Sequence, residues 1–195
     1  MPARKSAPSL KLTIEPVTPE RWDDLELLFG ERGACAGCWC MWWRLPRAKF
    51  VAQKGEANRK ALKRIVASAE IPGLIAYHEG EPIGWCALAP RSAYPRLANS
   101  RILQPIDEQP VWSVTCFFVA RPFRRRGVTG KLLRAAIDHA RRSGARVLEG
   151  YPVDPKAEGA DTFLYTGLAS AFLAAGFKEV ARRSPTRPIM RCFLE

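Results

Sequence analysis

Val119-Ala120-Arg121-Pro122-Phe123-Arg124-Arg125-Arg126-Gly127-Val128-Thr129-Gly130 decides how this sequence reads. A strand ends, the chain turns through a basic, glycine-containing loop, and a helix begins. The strand side, 111–120, is β-branched and aromatic and has prolines close to both ends. The helix side, 127–143, puts Leu132, Leu133, Ala136, Ile137 and Ala140 on one stripe. Lys131, Arg134, Asp138, Arg141 and Arg142 take the other face, and Gly144 stops it. A helix start offers unpaired N–H groups and the positive end of the helix dipole. Gly127 lets a ligand approach the backbone closely. Together these predict a seat for a phosphate or pyrophosphate. The loop lacks the GxxxxGK[ST] and GxGxxG patterns of the common nucleotide loops. The plain alternative is a strand-to-helix turn with solvated arginines.

Outward from this loop, the pattern predicts a strand over 10–17 and a helix from Thr18-Pro19 to about Gly30. A second helix is predicted over 58–70 and a hairpin over 73–79 and 82–89. Residues 30–50 read as an ordered loop with a helical turn, and 90–110 as a connection with a short turn of helix. Beyond Gly144 come a strand over 146–153, a polar loop over 154–161, a helix over 166–175 ended by Gly176, and strands over 177–181 and 189–194. The order β-α-α-β-β-β-α-β-α-β-β is that of a mixed α/β domain.

The 195 residues suit one domain over 10–195, preceded by a loose tail over 1–9. Hydrophobic residues at 47% and charged residues at 26% describe a globular chain. The start lacks the apolar core of a secretion signal, and no apolar run reaches membrane-span length. A cytoplasmic location with reduced cysteines is the expectation. The net charge of +12 calls for anionic company, or reflects arginine-rich surfaces.

Arg124-Arg125-Arg126-Gly127-Val128-Thr129 resembles the R/Q-x-x-G-x-G/A signature of the GNAT superfamily of N-acetyltransferases. Ala175-Gly176-Phe177 matches the Gly-Phe that ends the last helix of that fold, and the element order agrees from residue 10 to 194. Thr129 departs from the usual Gly or Ala, with Gly130 following at once. The resemblance implies an acyl-CoA N-acyltransferase fold, a mixed and mostly antiparallel sheet flanked by helices. It implies acetyl-CoA as donor, with the backbone of Phe117, Phe118 and Val119 pairing its pantetheine arm. Arg124, Arg125, Arg126, Gly127, Val128, Thr129 and Gly130 would hold its pyrophosphate. Pantetheine amides can add to a strand edge as another strand does, and such an edge needs two strands to splay, commonly through a bulge.

Aminolysis of a thioester needs a neutral amine, an oxyanion donor and a proton for the thiolate. Glu149, in an otherwise apolar strand, is the expected base, unless an arginine simply pairs it. The Val119 amide is the family's oxyanion donor. The resemblance puts a general-acid tyrosine where this chain has Phe172, so Tyr165 is the substitute candidate. His78 and His139 form no pattern that would support Cys116 as a nucleophile.

The stretch 33–44 carries Cys35, Cys38 and Cys40 among Trp39, Trp42 and Trp43. A closed soft-metal site would need a fourth ligand, and none is visible, so no metal is expected. The alternative is an apolar plug. Trp42, Trp43 and Arg44, with Tyr151, are assigned to acceptor recognition, because indole faces take cations and Arg takes carboxylates. A small-molecule amine is the expected acceptor. A protein lysine or N-terminus is the alternative, and a non-catalytic CoA-sensing or nucleic-acid-binding module the reading from another class. No membrane partner is expected, no nucleic-acid-binding motif is visible, and a homodimer stays open.

Overall fold

The computed structural model describes residues 10–155 and 161–195. The expected tail, 1–9, lies outside them, as does 156–160 of the polar loop. Seven strands form one sheet: β1 (Thr13–Pro16), β2 (Gly73–His78), β3 (Glu81–Pro90), β4 (Trp112–Val119), β5 (Val147–Gly150), β6 (Lys178–Arg182) and β7 (Pro188–Phe193). Their order is β1-β2-β3-β4-β5-β7-β6. Every pairing is antiparallel except β4 with β5. A parallel pair needs a crossover, here the helix α5 (Val128–Arg142).

Two faces bury different sets of side chains. On the back, α5 and α6 (Ala169–Ala174) cover Leu74, Val114, Phe117 and Leu148 with the stripe Leu132, Leu133, Ala136 and Phe172. On the front, α1 (Trp22–Phe29), α3 (Glu56–Ala67) and the 38–45 loop bury Trp85, Trp39, Met41 and Leu62. Short helices α2 (Arg47–Ala52) and α4 (Pro95–Ala98) complete the front. There Tyr94, Leu97 and Leu103 pack with Tyr151 and Ile189.

Residues 33–37 form an irregular loop, with positive φ at Ala34 and Ala36 on either side of extended Cys35, closed by the Gly37 N–H donating to the Arg32 carbonyl at 2.7 Å. The strand expected over 146–153 stops at Gly150, since Pro152 has no N–H to give a ladder. The helix expected over 166–175 starts at Ala169, because left-handed Gly167 (φ 84°) separates it from a 3-10 turn, Asp161–Thr166.

Candidate active site

β4 and β5 pair only over Trp112↔Leu148, Ser113↔Glu149 and Val114↔Gly150. Beyond Val114 they part, for two reasons. First, β4 carries one residue more than β3 at this point: Ala87 faces Cys116 while Leu88 faces Val114, which leaves Thr115 as a bulge. A bulge bends its strand and increases the twist. Second, the chain after β5 is drawn aside. The Val153 N–H donates to the Gly167 carbonyl at 2.8 Å, and the Ala169 N–H donates to the Val153 carbonyl at 2.8 Å.

The parting leaves β4 with a free edge. The Ala120 N–H donates to the Ile83 carbonyl at 2.9 Å. Hydrogen-bonded residues alternate along an antiparallel strand, so Phe118 and Cys116 also turn their polar groups toward β3. Phe117 and Val119 therefore turn theirs into the gap. The Phe117 side chain is buried in the back core and Phe118 lies on the front.

At its far end the gap meets the basic loop. A 3-10 turn, Arg121–Phe123, leads through left-handed Arg125 (φ 61°) to Gly127 (φ 77°), which caps α5. The Lys131 N–H makes the first bond of the helix, to the Gly127 carbonyl at 3.3 Å, so the amides of Val128, Thr129 and Gly130 have no partner within the helix. A Cβ placed on Gly127 or Gly130 would meet nothing within 4 Å. The arginines divide their work. Arg124 Nε donates to the Val119 carbonyl at 2.9 Å and pins the loop to the strand end. Arg126 lies by the Phe123 ring, 5.8 Å from its centre. An exposed turn of amides, with Gly at its tightest point and cationic side chains around it, fits the diphosphate of a CoA ester.

Glu149, the residue expected as base, is buried and engaged. Its side chain is 1% exposed, and both its oxygens are taken. Oε1 accepts from Arg91 at 2.8 Å and from the Tyr151 hydroxyl at 2.7 Å; Oε2 accepts from Arg191 Nε at 2.7 Å. Arg191 also grips Asp107 through both terminal nitrogens, at 2.6 and 2.9 Å. The arginine-paired alternative describes this residue. Tyr151 is fully buried, and burial pushes its phenol well above the ordinary value. Its hydroxyl serves Glu149, Arg91 and Ser113, so it has no face for a substrate. Phe172 is fully buried too, stacked edge-on between Phe117 and Phe177.

Other groups stand at the front of the gap. Tyr165, part-buried, lies within electrostatic reach of Arg187, Cys116 and Arg96, and burial raises its phenol pKa. Arg187 donates to the Thr166 hydroxyl at 3.0 Å. Cys116 Sγ lies 3.7 Å from Cys40 Sγ, which in turn accepts from Trp85 Nε1 at 3.0 Å. Contact with Cys116 and burial hold the Cys40 thiol well above its ordinary pKa. Cys40 is thus part of the apolar wall, while Cys35 is exposed. Among the described residues no three or more His, Cys, Asp or Glu side chains converge as a metal site.

The tryptophan wall differs in detail from its expected use. Arg44 pairs with Glu70 at 2.8 Å and lies 5.0 Å from the Tyr94 ring centre, so its charge is engaged. Trp43 packs toward Tyr94 and Leu97, with Nε1 buried. The face of Trp42 is covered by Arg96, its guanidinium carbon 3.6 Å from the ring centre. Arg96 was not singled out in the sequence, since nothing near it in the chain marks it.

Comparison with known proteins agrees with this architecture. The chain resembles the PaiA N-acetyltransferase of Thermoplasma acidophilum, solved in complex with coenzyme A. The TM-score is 0.53 at 14% identity, over 94% of this chain and 99% of that one. GNAT-family acetyltransferases from Listeria monocytogenes (TM-score 0.59, 9% identity, 97% and 99% covered) and Streptococcus agalactiae (0.57, 13%, 96% and 99%) share the fold. A search of curated proteins finds no match. Among the described residues no helix is long and apolar enough to cross a membrane. The model of the acetyltransferase (GNAT) family matches residues 35–160, more than half of the chain. The chain belongs to that family, and it is an acyltransferase that takes its acetyl group from acetyl-CoA.

Proposed function

We propose that this acetyltransferase acetylates the primary amine of a small molecule, by direct attack of that amine on the thioester while both are bound. The observation that carries the reading is the gap beyond Val114, open along one side of β4, with Cys40 of the 38–45 loop against Cys116 and the 3-10 turn packed beside the strand. Backbone groups of Phe117 and Val119 would pair with the pantetheine arm. The amides of Val128, Thr129 and Gly130 would receive the pyrophosphate. The Val119 N–H, aimed into the gap, is the donor for the tetrahedral oxyanion.

Proton handling follows from the surroundings. Glu149, held between two arginines, is not the free carboxylate that a base would be. The acceptor amine needs no base if its own pKa falls. Burial and a neighbouring cation both disfavour an ammonium, and Arg187 supplies the cation. The departing thiolate takes its proton from Tyr165, whose phenol burial keeps in the O–H form, and the phenolate takes back the proton that the newly acetylated nitrogen sheds. Cys116 is the back of the pocket, not a nucleophile.

The test is thiol release from acetyl-CoA over a panel of small amines and lysine peptides, with initial rates varied in both substrates. Intersecting lines with small amines are expected. Parallel lines would mean an acetyl-enzyme instead, and turnover confined to peptides would move the acceptor to proteins.

A further inference from the structure

The arginines on the front face fall into two groups. Arg44 is matched by Glu70, and Arg91 and Arg191 are matched by Glu149 and Asp107. Arg96 and Arg187 face no carboxylate among the described residues. The Tyr165 phenol feels both charges. Arg187 spends one nitrogen on Thr166. Arg96 is left with a terminal nitrogen, Nη1, that is buried and has no hydrogen-bond partner.

The fold holds Arg96 in that position. Its guanidinium lies flat against Trp42, 3.6 Å from the ring centre, and its backbone N–H donates to the Trp43 carbonyl at 3.4 Å. Trp42 is itself fixed edge-on by Phe50, with ring centres 5.0 Å apart. Burial disfavours the charge on Arg96, and Arg47 adds repulsion. A half-buried guanidinium, stacked on a ring and with one nitrogen buried and short of a partner, is costly unless something else completes it. A planar fork of donors matches a carboxylate.

We propose that the acceptor carries a carboxylate beside its amine, as an amino acid or short amino carboxylate does, and that Arg96 on its Trp42 shelf receives that carboxylate. Arg187, beside Thr166, adds attraction. The inference rests on the small-amine reading above and names its substrate class. It also gives Trp42 a role other than the cation binding its indole suggested: the ring already holds a cation, and that cation faces the ligand.

Matched acceptors test it: an amino carboxylate, its carboxamide and the amine lacking the group, each assayed for thiol release from acetyl-CoA. The carboxylate should be preferred. Arg96→Gln should lower kcat/KM for the carboxylate by about 10- to 100-fold, the span expected for a hydrogen bond to a charged group. It should leave KM for acetyl-CoA unchanged and barely touch the amine without the carboxylate. Arg96→Lys keeps the charge but loses the fork and should recover only part of the loss. Calorimetric titration of the amino carboxylate into CoA-loaded protein reads the same site without turnover. Binding is expected to wild type and to be lost in Arg96→Gln. Equal rates on all three acceptors, or an equal loss on all three in Arg96→Gln, overturns the inference while leaving small-amine transfer standing. Carboxylate binding that depends on Arg96, with no thiol release from any amine, does the reverse. Preference for an aminoalkyl phosphate over the carboxylate also overturns it.

Discussion

Gly150 and Phe172 meet at the point where β5 leaves β4: a Cβ on Gly150 would stand 2.1 Å from a ring carbon of Phe172. The ring is fully buried and held edge-on by Phe117 and Phe177, so it cannot yield cheaply. Gly150→Ala should therefore destabilise the protein by about 1–3 kcal/mol, the usual cost of overpacking. Urea unfolding measures it. Phe172→Leu in the same chain should return part of the loss, because the smaller side chain makes room. If the alanine variant unfolds at the wild-type midpoint, the packing described here is wrong.

Gly127→Glu should abolish binding of coenzyme A, measured by calorimetry. The added side chain would project into the space by the unpaired amides, and its charge would repel a diphosphate. Some stability is lost as well, since φ at this residue is 77° and an L side chain in that region costs about 1–2 kcal/mol. Gly127→Ala separates the two effects: it carries the backbone cost without the charge and should retain measurable affinity.

Glu149→Gln should act on stability before it acts on chemistry. Removing the charge leaves Arg91 and Arg191 partly uncompensated inside the protein, and breaking a buried pair costs about 3–5 kcal/mol. The midpoint of thermal unfolding should fall sharply. Where the variant remains folded, its turnover with acetyl-CoA should survive. A stable but inactive variant would return Glu149 to the role of base.

Tyr165→Phe should lower kcat by roughly 10²-fold, the lower bound for loss of a positioned proton donor. Affinity for coenzyme A should not change. A thioester whose leaving thiol already has a low pKa needs that proton least, so the variant should lose least with such donors. Equal losses across donors would remove Tyr165 as the acid.

His139 should make stability fall on mild acidification. It sits half-buried on α5 beside Trp112, ring centres 6.0 Å apart, and burial holds its pKa below the ordinary 6.5. The unfolded chain takes up the proton first. The contribution is thus intact above pH 6.5, is lost as pH falls through that value, and levels off below the folded pKa. His139→Gln should flatten that part of the stability profile in urea titrations at successive pH.

The sequence was most readable where local rules act alone. The helix expected over 127–143 spans Val128–Arg142, and the strand expected over 111–120 spans Trp112–Val119. Periodicity and punctuation suffice there. The glycine-led helix start also stood out, because its signal is contained in a few consecutive residues. Glu149 was visible as an oddity in an apolar strand, but the choice between base and buried ion pair turned on Arg91 and Arg191, which come from distant segments. Arg96 was invisible for the same reason. It lies in a stretch read only as connection, and its meaning comes from Trp42, which folding brings beneath it. Arg44, adjacent to the tryptophans in sequence, was the natural choice and is occupied by Glu70.

Thr115 puts two consecutive β4 side chains, its own and that of Cys116, on the same side of the strand. Excising it would make the alternation regular without moving a single neighbour to the opposite face: Val114 and Phe117 would still point back, and Phe118 forward. What would go is the kink, and with it the reason for the two strands to diverge. Room for a thioester between them is thus a matter of arithmetic along the backbone, a surplus of one position, and swapping side chains at Thr115 cannot substitute for it.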